Sequence, residues 1–153
     1  MNHRYLITLE ITPVKVGKTY GDLPSHLTLM SRFFSDLGPN ELAEILKPLF
    51  VRSKPVHISV SKTTKLGPKK LTVHLMEHSA EIISLHNELR AQLDLILVSY
   101  EYPQFIGNNY TPHITQRHGQ IFRPGDSLLA THCYLIEIIV GERVIKSRFK
   151  FAA

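Results

Sequence analysis

The chain has 153 residues, of which 43% are hydrophobic and 20% charged, a composition that excludes a disordered polymer and suits one folded domain. No apolar run approaches the roughly 18 residues of a membrane helix, Met1-Asn2-His3-Arg4 does not read as a signal peptide, and the single cysteine, Cys133, excludes an internal disulfide, so a cytoplasmic protein is expected. The net charge of +5 favours anionic partners without choosing among them, and nine histidines direct attention to acid–base chemistry or metal binding.

Residues 4–11 alternate, with Tyr5, Ile7, Leu9 and Ile11 on one face, and read as a strand. Pro13, Gly17, Gly21 and Pro24 mark a loop. A strand carrying His26 follows and runs to about Phe34. Gly38-Pro39 opens a helix with proline at its first position, Leu42, Ile45, Leu46 and Leu49 give it an apolar face, and Pro48 should end or kink it. Val56–Ser61 reads as a strand. Lys62, Lys65, Lys69 and Lys70 then fall in a basic loop around the turn Gly67-Pro68, and residues 71–76 form the next strand.

Ser79 is a helix cap by type. Ile82, Leu85, Leu89, Leu93 and Ile96 line one face of a long helix behind it. Residues 100–111, rich in Tyr, Pro, Gly and Asn, form a loop before the short strand at His113. Residues 132–140 make an apolar strand, and Gly141-Glu142 suggests a hairpin turn into 143–151. On that last strand Ile145, Phe149 and Phe151 share one face, and Lys146, Arg148 and Lys150 the other. The pattern is α+β, with about two helices and seven or eight strands. No linker or low-complexity segment interrupts residues 1–153, so they are read as one domain.

Two tripeptides carry the functional reading: His26-Leu27-Thr28 and His113-Ile114-Thr115. Side chains alternate across a strand, so each motif shows an imidazole and a hydroxyl on one face and buries the residue between. Two such pairs facing each other supply a base, an acid and two hydroxyl donors around one phosphate, enough for phosphodiester chemistry without a metal. A single His-x-Ser/Thr is weak, because roughly one match is expected by chance at this composition. Three occur, the third being His57-Ile58-Ser59. Only His26 and His113 share a loop-then-proline entry and a threonine at the third position, and they lie 87 residues apart. The echo suggests two pseudo-symmetric lobes.

Other candidates read as ordinary structure. His57 is a decoy on a plain strand. His74 and His78 are four apart but straddle a helix boundary, which does not suit a metal. His86 lies inside the long helix, packed or solvated rather than reactive. Gly17-Lys18-Thr19 lacks the glycine a phosphate-binding loop needs at position 12, which is Thr12. The lysine loop is either a solvated turn or a rim that tracks phosphates. Tyr20, Phe105 and Tyr110 either stack on bases or pack in loops.

Ser25-His26-Leu27-Thr28-Leu29 and Tyr110-Thr111-Pro112-His113-Ile114-Thr115 resemble the paired signatures of the two-histidine (2H) phosphoesterase superfamily, which includes the 2′-5′ RNA ligase-like proteins and RNA 2′,3′-cyclic phosphodiesterases. Gln116 stands where that family often has an apolar residue, and the basic residue that commonly follows is Arg117 or His118. The resemblance implies two lobes of antiparallel sheet with helices outside and an active-site cleft between them. It implies a hydrolase with His26, Thr28, His113 and Thr115 as catalytic residues, His113 serving as base and His26 as acid. The roles exchange in the ligation direction. Tyr20, Lys62, Lys65, Phe105, Tyr110 and Arg117 are the expected substrate contacts. No cofactor, metal, membrane or obligate protein partner is expected, and the protein should be a monomer acting on an RNA end or small nucleotide. The alternatives are a phosphodiesterase of cyclic oligonucleotide signals on the same fold, a noncatalytic RNA-binding module and a histidine-rich metalloprotein.

Overall fold

A computed structural model of the chain describes residues 2–77, 80–117 and 120–153. Its strands are β1 (His3–Glu10), β2 (Thr19–Tyr20), β3 (His26–Ser35), β4 (Val56–Leu66), β5 (Leu71–Glu77), β6 (Ser99–Tyr100), β7 (His113–Thr115), β8 (Ser127–Ala130), β9 (His132–Ile139) and β10 (Glu142–Lys150). Two helices, α1 (Pro39–Arg52) and α2 (Ala80–Leu95), complete the α+β fold. The strands form one curled antiparallel sheet in the order β2-β10-β9-β1-β3-β7-β5-β4-β8, with β6 beside β3. Among the described residues, no helix is long and apolar enough to cross a membrane.

Both helices cover one face of the sheet. Leu42, Leu46, Leu49 and Phe50 of α1 and Ile82, Leu85, Leu89 and Leu93 of α2 pack with Tyr5, Ile7, Leu9, Leu27 and Ile114 in the main core. A smaller apolar cluster lies on the other face, where Leu6, Tyr134, Ile136 and Ile145 meet Leu23, Val14 and Tyr20. The segment between β1 and β3 therefore packs on the second face. Pro48, expected to end or kink the first helix, lies within α1 without ending it. Pro48 is exposed, so the carbonyl it leaves unpaired reaches water, while the buried leucines on the opposite side hold the helix on.

Three local expectations are corrected. Ile145 and Phe149 do not share a face: a register shift between Ile145 and Ser147 inserts a bulge, which puts Ile145 in the smaller cluster and Phe149 in the main core. The hairpin turn is Val140-Gly141, one residue earlier than expected, with φ of 48° and 78° as a tight two-residue turn requires. The basic segment is mostly strand, since β4 and β5 pair from Ser59↔Glu77 out to Leu66↔Leu71, leaving only residues 67–70 as the turn. Antiparallel pairing with β5 satisfies the backbone of this segment. The expected cap Ser79 lies outside the described residues.

Candidate active site

Strands β3 and β7 join the two halves of the sheet at a narrow seam, where Leu27 pairs with Ile114. The strands are antiparallel, so one step either way sets His26 beside Thr115 and Thr28 beside His113. Leu27 and Ile114 are fully buried in the core, and the four neighbouring polar side chains are half-buried on the opposite face. The seam interleaves the two motifs, each histidine lying across from the other's threonine.

The chain orients both imidazoles in the same way. His26 Nδ1 lies 2.9 Å from the Pro24 carbonyl oxygen. His113 Nδ1 lies 2.8 Å from the Thr111 carbonyl oxygen. A carbonyl only accepts, so each Nδ1 carries the hydrogen and each Nε2 remains for chemistry. The prolines serve this bond: an X-Pro step is extended, which suits the entry of each strand, and the carbonyl two residues back turns onto the ring. Glu10 is the cross-strand partner of His26. Its carboxylate accepts Arg148 Nε at 2.9 Å and Nη2 at 3.0 Å, together with the Tyr134 hydroxyl. Burial alone would raise the Glu10 carboxyl, but these bonds hold it below its ordinary value. Among the described residues the Nδ1 partner of His26 is thus a neutral carbonyl, not a carboxylate.

A cavity of about 190 Å³ opens beside His26 and Thr28 and is lined also by Ser31, Arg32, Tyr102, Arg117, Arg143 and Asp22. His113 and Thr115 sit on the neighbouring strand and do not form its wall. Burial depresses the His26 pKa to about 4, with Arg117, His113 and Arg143 adding to the effect and the Pro24 bond opposing it. His26 is thus neutral at physiological pH. Arg117 Nε is buried with no hydrogen-bond partner among the described residues. A guanidinium held this way is costly unless an anion completes it.

The other expected contacts divide. Tyr20 lines an open groove with Arg117, Gln116 and Gln120, continuing outward from the cavity. Lys62 pairs with Leu75, which pairs with His113, so Lys62 stands in the row of the second imidazole. Lys65 is three residues on, opposite Thr72, with its Nζ 3.5 Å from the Thr72 hydroxyl, and Thr72 lines the same open groove as Tyr20. Phe105 is exposed and lies 6.1 Å from the ring of Tyr102, which is the aromatic residue that lines the cavity. His57 is exposed on β4 and lines a separate groove with Glu81 and Leu129. His74 is buried and lies 2.9 Å from the Thr63 hydroxyl, while His78 and His118 are outside the described residues. Among the described residues, no three His, Cys, Asp or Glu side chains cluster to hold a metal.

Tyr110 is occupied by the protein. Its ring stacks on His86 at 3.9 Å and 5°, and its hydroxyl donates to the Thr28 carbonyl at 2.8 Å. His86 is fully buried, lies 2.7 Å through Nδ1 from the Leu29 carbonyl oxygen, and accepts the Gly107 N–H at Nε2 at 3.0 Å. The pair ties α2 and the loop before His113 to the strand bearing His26. A lone histidine on a helix gives no pairing signal, so the role of His86 is not legible in the sequence. Arg32, Arg143, Ser31 and Tyr102 escape sequence reading because none stands in a motif of its own: Ser31 and Arg32 lie further along β3, and Arg143 and Tyr102 come from distant stretches of chain.

The sequence pattern of the 2′-5′ RNA ligase superfamily matches residues 8–133. No curated protein matches the chain. Among solved structures, one titled only as a phosphoesterase is 16% identical, covers 99% of this chain and 100% of its own, and superposes with a TM-score of 0.67. LigT of E. coli complexed with 3′-AMP is 14% identical, with 99% of each chain covered and a TM-score of 0.67. A Thermus thermophilus protein, TT0787, is 18% identical, covering 96% of this chain and 97% of its own at a TM-score of 0.60.

Proposed function

The chain belongs to the 2′-5′ RNA ligase superfamily of phosphoesterase and ligase-type enzymes, and on that premise we propose that it is a metal-independent phosphodiesterase that opens RNA or nucleotide 2′,3′-cyclic phosphates, or 2′-5′ linkages, by two-histidine acid–base catalysis. The observation that carries this reading is the interleaved seam, with both imidazoles locked at Nδ1 and both Nε2 atoms left for proton transfer. The E. coli relative's complexes with 3′-AMP and ATP support a small nucleotide as substrate.

In the proposed reaction, water attacks phosphorus in line with the departing ribose oxygen. A base must start neutral, and the depressed pKa of His26 favours it for that role, the reverse of the order expected from sequence. His26 Nε2 takes the water proton as the new P–O bond forms. His113 Nε2–H donates to the ribose oxygen as the old P–O bond breaks. Thr28, Thr115 and the Arg117 guanidinium, whose Nε has no partner among the described residues, donate to the nonbridging oxygens as charge grows there. Base, acid and donors are all side chains, so turnover should survive EDTA.

The test is hydrolysis of 2′,3′-cyclic nucleotides and 2′-5′ dinucleotides in EDTA. His26→Ala and His113→Ala should each lower turnover by roughly 10²- to 10⁴-fold with nucleotide binding retained. Wild-type rates in both variants would refute the two-histidine mechanism, and binding without turnover in the wild-type protein would instead leave a noncatalytic nucleotide- or RNA-binding module.

A further inference from the structure

We propose that the cavity beyond Thr28 is a second anion subsite, in which Arg32, Arg143 and Ser31 take a phosphate one nucleotide removed from the scissile one. This rests on the phosphodiesterase reading above and narrows its substrate to nucleotides phosphorylated on the 5′ oxygen.

The first support is a bulge. Tyr5 pairs with Phe33 and Ile7 with Met30, so the single residue Leu6 faces two, Ser31 and Arg32. Strict alternation would send one of these two side chains to the helix face. The extra residue instead lets both line the cavity, on the same side as Thr28. A bulge beside a site re-aims side chains in this way.

The second support is charge. Arg32, Arg117 and Arg143 line the cavity against one lining carboxylate, Asp22. Arg143 Nη1 donates to the carbonyls of Gly21 at 2.6 Å and Gly141 at 2.9 Å, which fix the guanidinium without neutralising it. Arg32 reaches Glu101 at only 3.6 Å, and that carboxylate already holds Arg4 at 2.6 Å. A scissile phosphodiester brings one negative charge, so positive charge remains over. The Ser31 hydroxyl is buried with no partner among the described residues, a donor without an acceptor. Ser31 and Arg32 lie three and four residues along β3 from Thr28, a span on the order of 10 Å. One nucleotide fits that reach, with its cyclic phosphate at the histidines and its 5′ phosphate at the arginines, and Tyr102 lies alongside.

The experiment compares kcat/KM on three substrates ending in the same adenosine 2′,3′-cyclic phosphate. One has a free 5′ hydroxyl, one a 5′ phosphate monoester, and one a further nucleotide joined through a 5′ phosphodiester. Charge-assisted hydrogen bonds should favour both phosphorylated substrates by about 10- to 100-fold. The better of those two identifies the source, a terminal phosphate or an internal RNA linkage. Arg32→Gln should collapse the ratio to within about threefold of one, and Arg32→Lys should keep part of it. Should Arg32→Gln fail to fold, the wild-type ratio and its decline with added salt still decide the matter. Turnover with equal kcat/KM on all three would overturn the subsite and leave the phosphodiesterase reading standing. No turnover on any of them would overturn the cyclic-phosphate reading and the subsite with it.

Discussion

Replacing His86 by leucine tests whether the fold holds its site through one buried ring. His86 is fully buried, and both ring nitrogens are engaged, by the Leu29 carbonyl and the Gly107 N–H. Leucine is of similar size and keeps the apolar packing, so the cavity cost is small. It removes both hydrogen bonds. The Gly107 N–H has no second chance to pair, and the Leu29 carbonyl loses one of two acceptor sites. Each orphaned group costs about 1–3 kcal/mol, the carbonyl at the lower end, giving roughly 3 kcal/mol in all. For a chain of this size that is a melting decrease of roughly 6–12 °C. His86→Gln can still donate to Leu29 and accept from Gly107, and should lose about 1 kcal/mol.

Equilibrium urea unfolding at pH 7.5 reads both variants, with turnover measured alongside. Tyr110 loses its stacking partner and with it the fixed bond to the Thr28 carbonyl, so kcat should fall more than KM rises. The pH dependence adds a separate readout. Burial, with Arg90 adding to it and the Leu29 bond opposing, lowers the His86 pKa below its ordinary 6.5. As pH falls below 6.5 the unfolded chain takes the proton first, so this contribution is complete above 6.5 and declines below it. His86→Leu should flatten the wild-type decline in that window. A leucine variant within about 0.5 kcal/mol of wild type would refute the reasoning.

Three further outcomes are expected. Because the pKa of His26 in the free protein is about 4, the acid limb of kcat/KM should fall near pH 4 rather than near 6.5, and a limb at 6.5 would remove His26 from the role of base. Lys62→Gln should lower the salt slope of oligonucleotide binding by about 0.7, the release from one single-strand phosphate; an unchanged slope would mean that Lys62 does not contact the strand. Val140 sits at φ 48° and 97% exposed in the β9–β10 turn, so Val140→Asn should stabilise by about 1 kcal/mol in thermal unfolding, and a destabilised variant would contradict the turn geometry.

The two His-apolar-Thr motifs, the buried Leu27 and Ile114, the two helices and the α+β class were all legible in the sequence, because each rests on a local rule. Alternation sets which side of a strand a residue faces, helical spacing marks a buried stripe, and proline before histidine marks an extended entry. Local rules fail where an extra residue enters a strand. The bulge after Ile145 parted it from Phe149, and the bulge opposite Leu6 brought Ser31 and Arg32 together into the cavity, and neither leaves a sequence signature because a bulge is a property of the pair of strands. The same holds for Lys62, whose alignment with His113 depends on a register read only through β5. Arg143 reaches the site from the far end of the chain, and His86 braces the strand bearing His26 from a helix, through contacts that only the closed sheet creates. Hydrophobic alternation is written residue by residue and so belongs to the sequence; which motif faces which, and which cations surround them, depends on long-range strand pairing, and only the tertiary structure decides it.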